Sequence, residues 1–144
     1  MRENMGLYRG KRKDNGEWAE GNLFENDNSN YPMVLIGHVV MSRDKHTNEL
    51  SFDGFGLYEV DPETVGQYTG LTDKNGVKIF EGDILRIIER GETIDGGIVA
   101  FRNEYPGGWL VMDKAYESKC SLAMRNDVEI TGNIHDNPEL LEVK

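Results

Sequence analysis

Side chains able to do chemistry are few in this sequence and far apart. Histidines stand at positions 38, 46 and 135, and the one cysteine is Cys120. A helical zinc motif needs two histidines four residues apart and a structural zinc site needs paired cysteines, and neither spacing occurs. Only ligands distant in sequence and adjacent in space would hold a metal, so neither metal nor cofactor is expected. Glu81 and Asp83 flank Gly82, and His135 precedes Asp136, which together supply carboxylates and an imidazole for acid–base hydrolysis. That chemistry also needs a cleft and surroundings that set the two carboxylate pKa values apart. The plainer reading is preferred: Phe80-Glu81-Gly82-Asp83 as a turn, and His135-Asp136 as the loop before a last helical turn. His38, inside an apolar run, reads as a hydrogen-bonded core histidine rather than a base. No Gly-x-Ser-x-Gly elbow, phosphate loop or dinucleotide fingerprint occurs, and Cys120 carries no nucleophile signature. No catalytic residue is therefore assigned. For binding, Tyr105 and Trp109 straddle Pro106-Gly107-Gly108, and this pair of loop-tip aromatics is the best candidate surface.

The elements that position these groups are strands. The chain has 144 residues, 38% of them apolar, enough to bury a core without covalent staples. A single cysteine forms no internal disulfide, no apolar run approaches the ~20 residues of a membrane helix, and no charged-then-apolar leader opens the sequence. A cytoplasmic protein away from membranes is the expectation. Twenty-six acidic against sixteen basic side chains give a net charge of −10, which disfavours phosphate-backbone binding, since that affinity comes from Lys and Arg. Arg9, Lys11, Arg12 and Lys13, followed by Asp14, form a local exception. They read as a solvated edge strand whose charges block sheet-to-sheet pairing, with a small phosphate-contacting patch as the other reading.

LYRGKRK and WAEGNLFEN flank Asp14-Asn15-Gly16, a hairpin signature. MVLIGHVVM, residues 33 to 41, is a near-continuous apolar run that predicts a strand covered on both faces. RDKHTNE is a polar turn and FGLYEV a short strand ending at Asp61. In DPETV, Asp61 caps, Pro62 sits at the first helical position and Glu63 suits the positive end of the helix dipole, so one helical turn is expected. NPELL repeats the device with Asn137 as cap. Asn75-Gly76 predicts a two-residue hairpin with positive φ at Gly76. In ILRIIER, Leu85, Ile87 and Glu89 share one side and Ile84, Arg86 and Ile88 the other. GETIDGG reads as a connection to the strand IVAFRN, YPGG as a turn into WLVMD, and KAYESKCSLAM as a short helix or loop. DVEITGNI is the last strand. Short strands with turns every eight to twelve residues point to a small sandwich or barrel.

YEVDPETVGQYTGLTDKNGVKIFEGDILRI, residues 58 to 87, and ITGNIHDNPELLE, residues 130 to 142, resemble the YopX-like phage and prophage proteins. The shared features are Asp-Pro-x-Thr-Val-Gly-Gln-Tyr-Thr-Gly-Leu, then Asp-Lys-Asn-Gly, Glu-Gly-Asp and a terminal Gly-Asn-Ile-x-x-Asn-Pro-Glu-Leu-Leu, in that order. The resemblance implies a prophage setting and an SH3-like barrel in the C-terminal part. It brings no reaction, cofactor or catalytic residue. The expectation is thus a mostly β protein: an N-terminal β unit over residues 1–60 and a small, partly open SH3-like barrel over residues 61–144, as two units or fused into one domain, with one-turn helices.

Three functions follow as expectations. The first is a non-catalytic module that binds an unidentified protein or its own copies; 144 residues divided between two β units leave little material to cover both faces of residues 33 to 41, which favours an oligomer. The second is an acidic protein imitating nucleic acid to inhibit a host nuclease. The third is an unrecognised hydrolase using Glu81, Asp83, His135 and Asp136.

Overall fold

The computed structural model describes residues 6–26, 30, 32–104, 107–125 and 127–141. The regular structure is eleven strands, paired in two antiparallel sheets, and three single-turn 3-10 helices, with no α-helix among the described residues. The chain forms two compact units, 1–67 and 68–144.

In the first unit β1 (Tyr8–Lys11) and β2 (Trp18–Asn26) form the expected hairpin. Gly16 takes φ +74 in its turn, and the Glu17 N–H donates to Asn15 Oδ1 at 2.9 Å. Next come β3 (Met33–Arg43) and β4 (Leu50–Glu59), so the strand expected at FGLYEV starts five residues earlier and makes a long hairpin with β3. The 3-10 turn η1 (Pro62–Thr64) forms where DPETV predicts it: the Glu63 N–H donates to Asp61 Oδ1 at 3.1 Å. Asp61 N–H donates to Lys11 O at 2.8 Å and Lys11 N–H to Thr64 Oγ1 at 2.8 Å, which brings the chain back alongside β1. The next strand, β5 (Gly66–Thr72), therefore pairs with Tyr8 and Arg9 through Gln67 and Gly66. This corrects the edge-strand reading of residues 9 to 13, because β1 lies between β2 and β5 in the order β4-β3-β2-β1-β5-β6. The unit's core is small, Ala19, Ile36 and Val60, with Tyr8, Leu23, Val34 and Val65 packed against it.

The second unit holds the larger core: Ile79, Leu85, Ile87, Val99, Val111, Leu122 and Val128. Its five-stranded sheet runs β10-β9-β8-β7-β11, built from β7 (Asp83–Glu89), β8 (Glu92–Arg102), β9 (Gly108–Met112), β10 (Ser118–Ser121) and β11 (Val128–Asn133). β10 and β11 end the order unpaired with each other, and no closed barrel forms. The predicted alternation along β7 holds from Leu85 to Ile87, with Leu85 and Ile87 in the core and Arg86 exposed; Ile84 is buried as well, and a register shift between Ile87 and Ile88 interrupts the pattern before Glu89. KAYESKCSLAM resolves into a loop, strand β10 and the 3-10 turn η2 (Leu122–Met124).

Two turns differ from expectation. GETIDGG is not a connection: Glu89 pairs with Glu92 across Arg90 (φ +53) and Gly91 (φ +79), a two-residue hairpin, and the rest belongs to β8. Gly96 and Gly97 serve close approach instead, since a Cβ on Gly96 would stand 2.6 Å from Leu85 O and one on Gly97 would strike Met112 O. Asn75-Gly76 does turn the chain from β5 into β6 (Lys78–Phe80), with Gly76 at φ +81. The loop is longer than two residues, however, because Asp73 N–H donates to Val77 O at 2.8 Å and closes it around three residues. At the C-terminal end NPELL forms the turn η3 (Pro138–Leu141), but the Asn137 side chain turns back and accepts from the Asn133 N–H at 3.3 Å.

Candidate functional site

Several of the acidic side chains, which give this protein its charge, are committed to structure. Asp73 is 6% exposed; its Oδ1 accepts from Asn75 N–H (2.8 Å) and Val77 N–H (3.0 Å), and its Oδ2 from Ile130 N–H (3.2 Å). One carboxylate thus shapes the β5–β6 loop and ties it to β11. Asp113 repeats the arrangement with Ala115 and Glu117, and Asp44 with His46 and Thr47. Those Thr47 and His46 N–H groups hold the Asp44 carboxyl below its ordinary pKa. Sequence reasoning missed this role. The signal was present as an Asp two to four residues ahead of the loop's Asn, Tyr or Glu, the spacing at which an Asp side chain caps its own turn.

The proposed hydrolytic groups are neighbours. Asn133 pairs with Asp83, Ile134 N–H donates to Gly82 O at 2.9 Å, and His135 Nε2 lies 3.8 Å from where a Gly82 Cβ would stand. Asp83, though, is 1% exposed, and its Oδ2 accepts from Phe80 N–H at 2.8 Å, closing the turn that the sequence predicts there. Asn133 Oδ1 accepts from His135 N–H and Asp136 N–H, and its amide donates to Asp136 Oδ2 at 3.0 Å. These bonds organise a loop, and the expected turn geometry accounts for them. Among the described residues no group of three or more His, Cys, Asp or Glu is placed to hold a metal.

The basic cluster is likewise occupied. Arg12 lies 3.9 Å above the Tyr58 ring and 2.6 Å from Asp14, whose carboxyl it holds below the usual range. Lys13 pairs with Glu59 at 3.1 Å, and Arg9 and Lys11 stand 4.6 and 5.6 Å from the Trp18 ring centre. Of the aromatic pair, Tyr105 lies outside the described residues. Trp109 is half-buried on the second unit's core and meets exposed Phe101 edge-on, with ring centres 5.1 Å apart. A shallow groove of about 480 Å³ in the same unit is lined by Gly70, Thr72, Lys74, Ile79, Leu122 and Arg125, among others.

What stands out is the β3–β4 hairpin. Near its base Ile36 and Gly37 are buried, but from His38 onward every residue of β3 is exposed. Two expectations are corrected here: β3 is not covered on both faces, and His38 is not a core histidine, because it and the rest of its half of the strand are exposed. Strand register shows how the arm is built. Val39 faces Phe55 and Met41 faces Phe52, with a register shift between them at Asp53. Strict alternation from Phe55 would put Asp53 and Ser51 on its face; the extra residue moves the phase by one and puts Phe52 and Leu50 there. The Phe52 and Phe55 rings stack 5.8 Å apart. One face of the arm thus carries Val39, Met41, Leu50, Phe52 and Phe55, exposed by 38, 53, 59, 58 and 65%, with Arg43 beside Leu50 at the tip. The other carries His38, Val40, Ser42, Ser51, Gly54 and Gly56. No chemistry of bond making is on offer here; the arrangement is that of an apolar contact surface.

No curated protein sequence matches the chain. Among solved structures it is similar to the crystal structure of protein EF1440 from Enterococcus faecalis, at 26% identity and a TM-score of 0.55 over 94% of this chain and 96% of that one. The sequence pattern of the YopX protein family covers residues 7–142, nearly the whole length, and the chain belongs to that family.

Proposed function

We propose that this protein is a non-catalytic, prophage-encoded β module that acts by binding protein, with the apolar face of the β3–β4 arm as its contact surface. The observation that carries this reading is the placement of Val39, Met41, Leu50, Phe52 and Phe55 side by side on one exposed face, with the register shifted by one at Asp53. Contiguous exposed apolar surface is costly to solubility and marks interaction sites in soluble proteins. The second unit fits a scaffold role. Its order β10-β9-β8-β7-β11, with the turn η2 ahead of β11, supports the reading of this unit as a partly open SH3-like barrel.

Two other functions have less support. Nucleic-acid mimicry calls for carboxylates in rows, whereas Asp44, Asp73 and Asp113 cap turns and Asp95 and Glu129 pair with Lys119 and Arg86. Hydrolysis by the Glu81 and Asp83 pair calls for both carboxylates to be accessible, and Asp83 is buried with its Oδ2 accepting from the Phe80 N–H. The test is the double variant F52S/F55S, assayed for association by sedimentation velocity with the purified chain and in lysate of the cells that express it. The substitutions lie on exposed positions, so thermal stability should be preserved while association is lost. A variant that keeps every association of the wild type would refute the arm as the contact surface.

A further inference from the structure

We infer that the partner on the β3–β4 arm is a second copy of this chain, the two arms packed apolar face to apolar face about a two-fold axis. The inference rests on the reading of the arm as a protein-binding surface and names its occupant.

Charge points to the copy. Two molecules of net charge −10 repel across most of their surfaces. Within residues 38–56, however, Arg43 and Lys45 stand against Asp44, Glu49 and Asp53, one negative charge net, so the arm is a place where two copies meet almost without that repulsion. An acid-biased protein recruiting a different partner by charge would carry its acids around the contact. Here the tip charges are internally engaged: Arg43 donates to Asn48 O at 2.8 Å and Asp44 accepts from His46 and Thr47.

Shape points the same way. Both strands of the arm are long and the apolar residues alternate along one face, so an identical arm laid antiparallel offers side chains of the same kind and spacing over the same length. An isologous contact asks for that self-complementarity. The stacked Phe52 and Phe55 of one copy meet Val39 and Met41 of the other at the centre. The five side chains expose roughly 500 Å² per copy, so a face-to-face pair buries about 1,000 Å² in total, the low end for a specific interface and the size of one that opens on dilution. The opposite face sets His38, Ser42, Ser51, Gly54 and Gly56 around Val40, too little apolar surface to seat a further copy, so a closed pair rather than a stack covers the arm.

Light scattering on the purified chain tests this, with the mass followed over a dilution series from about 50 µM to below 1 µM, beside the F52S/F55S and V40S variants. The expected result is a dimer mass for the wild type that falls to monomer on dilution, a monomer for F52S/F55S throughout, and little change for V40S, which alters the opposite face. Circular dichroism of the variants confirms that each is folded. A wild type that is monomeric at every concentration overturns the second copy as occupant, as does a dimer that survives F52S/F55S or one broken by V40S alone. The protein-binding reading fails separately, when F52S/F55S also changes no association in lysate.

Discussion

Asp73 shows how a side chain of catalytic type can be spent on architecture. Its carboxylate accepts three backbone N–H groups from two segments 57 residues apart, so removing it leaves buried donors without partners. Asp73→Ala is expected to lower the unfolding free energy by about 1–3 kcal/mol in urea titration. Asp113→Ala, at a half-buried loop where water replaces the carboxylate, should cost visibly less. Equal losses would contradict the role assigned to burial. Acid titration reports on the other carboxylates. Hydrogen bonds from Arg86, Lys119 and Arg12 hold Glu129, Asp95 and Asp14 below their ordinary pKa, as backbone N–H groups hold Asp44. A folded-state pKa below the unfolded value contributes stability that is complete above about pH 4–4.5 and fades as pH falls through the lower folded value. The melting temperature should thus drop on acidification below that range. Arg86→Gln should make the drop shallower, since Arg86 is the chief cause of the Glu129 shift; an unchanged acid profile would count against that pair. Residue types made these acids visible in the sequence, and local spacing made Asp61 and Gly76 readable. The Ile130 contact of Asp73 was not, because it depends on a pairing 57 residues away.

At the scale of elements, the period-2 pattern and turn chemistry disclosed most of the strands. The first hairpin, β7 and the turn at Pro62 stand where local signals put them. Errors arose where glycine has two uses. Gly96-Gly97 reads as a turn but lies inside β8 beneath neighbouring carbonyls, while the true turn uses Arg90 at φ +53, a residue with no turn signature. Gly37 offers the same lesson in the arm: a Cβ there would collide with Gly56 O across the β3–β4 pair, whereas a Cβ on Gly56 meets nothing within 4 Å. Gly37→Ala is therefore expected to destabilise the protein by about 1–3 kcal/mol through forced separation of the strands, and Gly56→Ala to stay within about 0.5 kcal/mol of wild type. Thermal unfolding of the two variants decides it, and a tolerated Gly37→Ala would show the hairpin to be looser than its register implies. The arm itself was half legible. MVLIGHVVM announced an apolar strand, but neither the exposure of its second half nor the bulge at Asp53 in the partner strand leaves a mark in a local pattern.

For the whole molecule, each unit has its own core, and the two differ in how they spend apolar residues. The second unit buries Ile79, Leu85, Ile87, Val99, Val111, Leu122 and Val128, whereas the first keeps a core of three and exposes a comparable set on the arm. A chain that is only 38% apolar and yet leaves five large side chains together in solvent has a use for them. Covering that face is the central claim. Hydroxyl-radical footprinting inside the expressing cells, compared with the purified chain diluted below 1 µM, reads it directly. Met124, 79% exposed in the second unit, serves as the reference. The account predicts that Met41, Phe52 and Phe55 are oxidised readily in the dilute chain and protected several-fold in cells relative to Met124; oxidation of the three at the same relative rate in both conditions would contradict it.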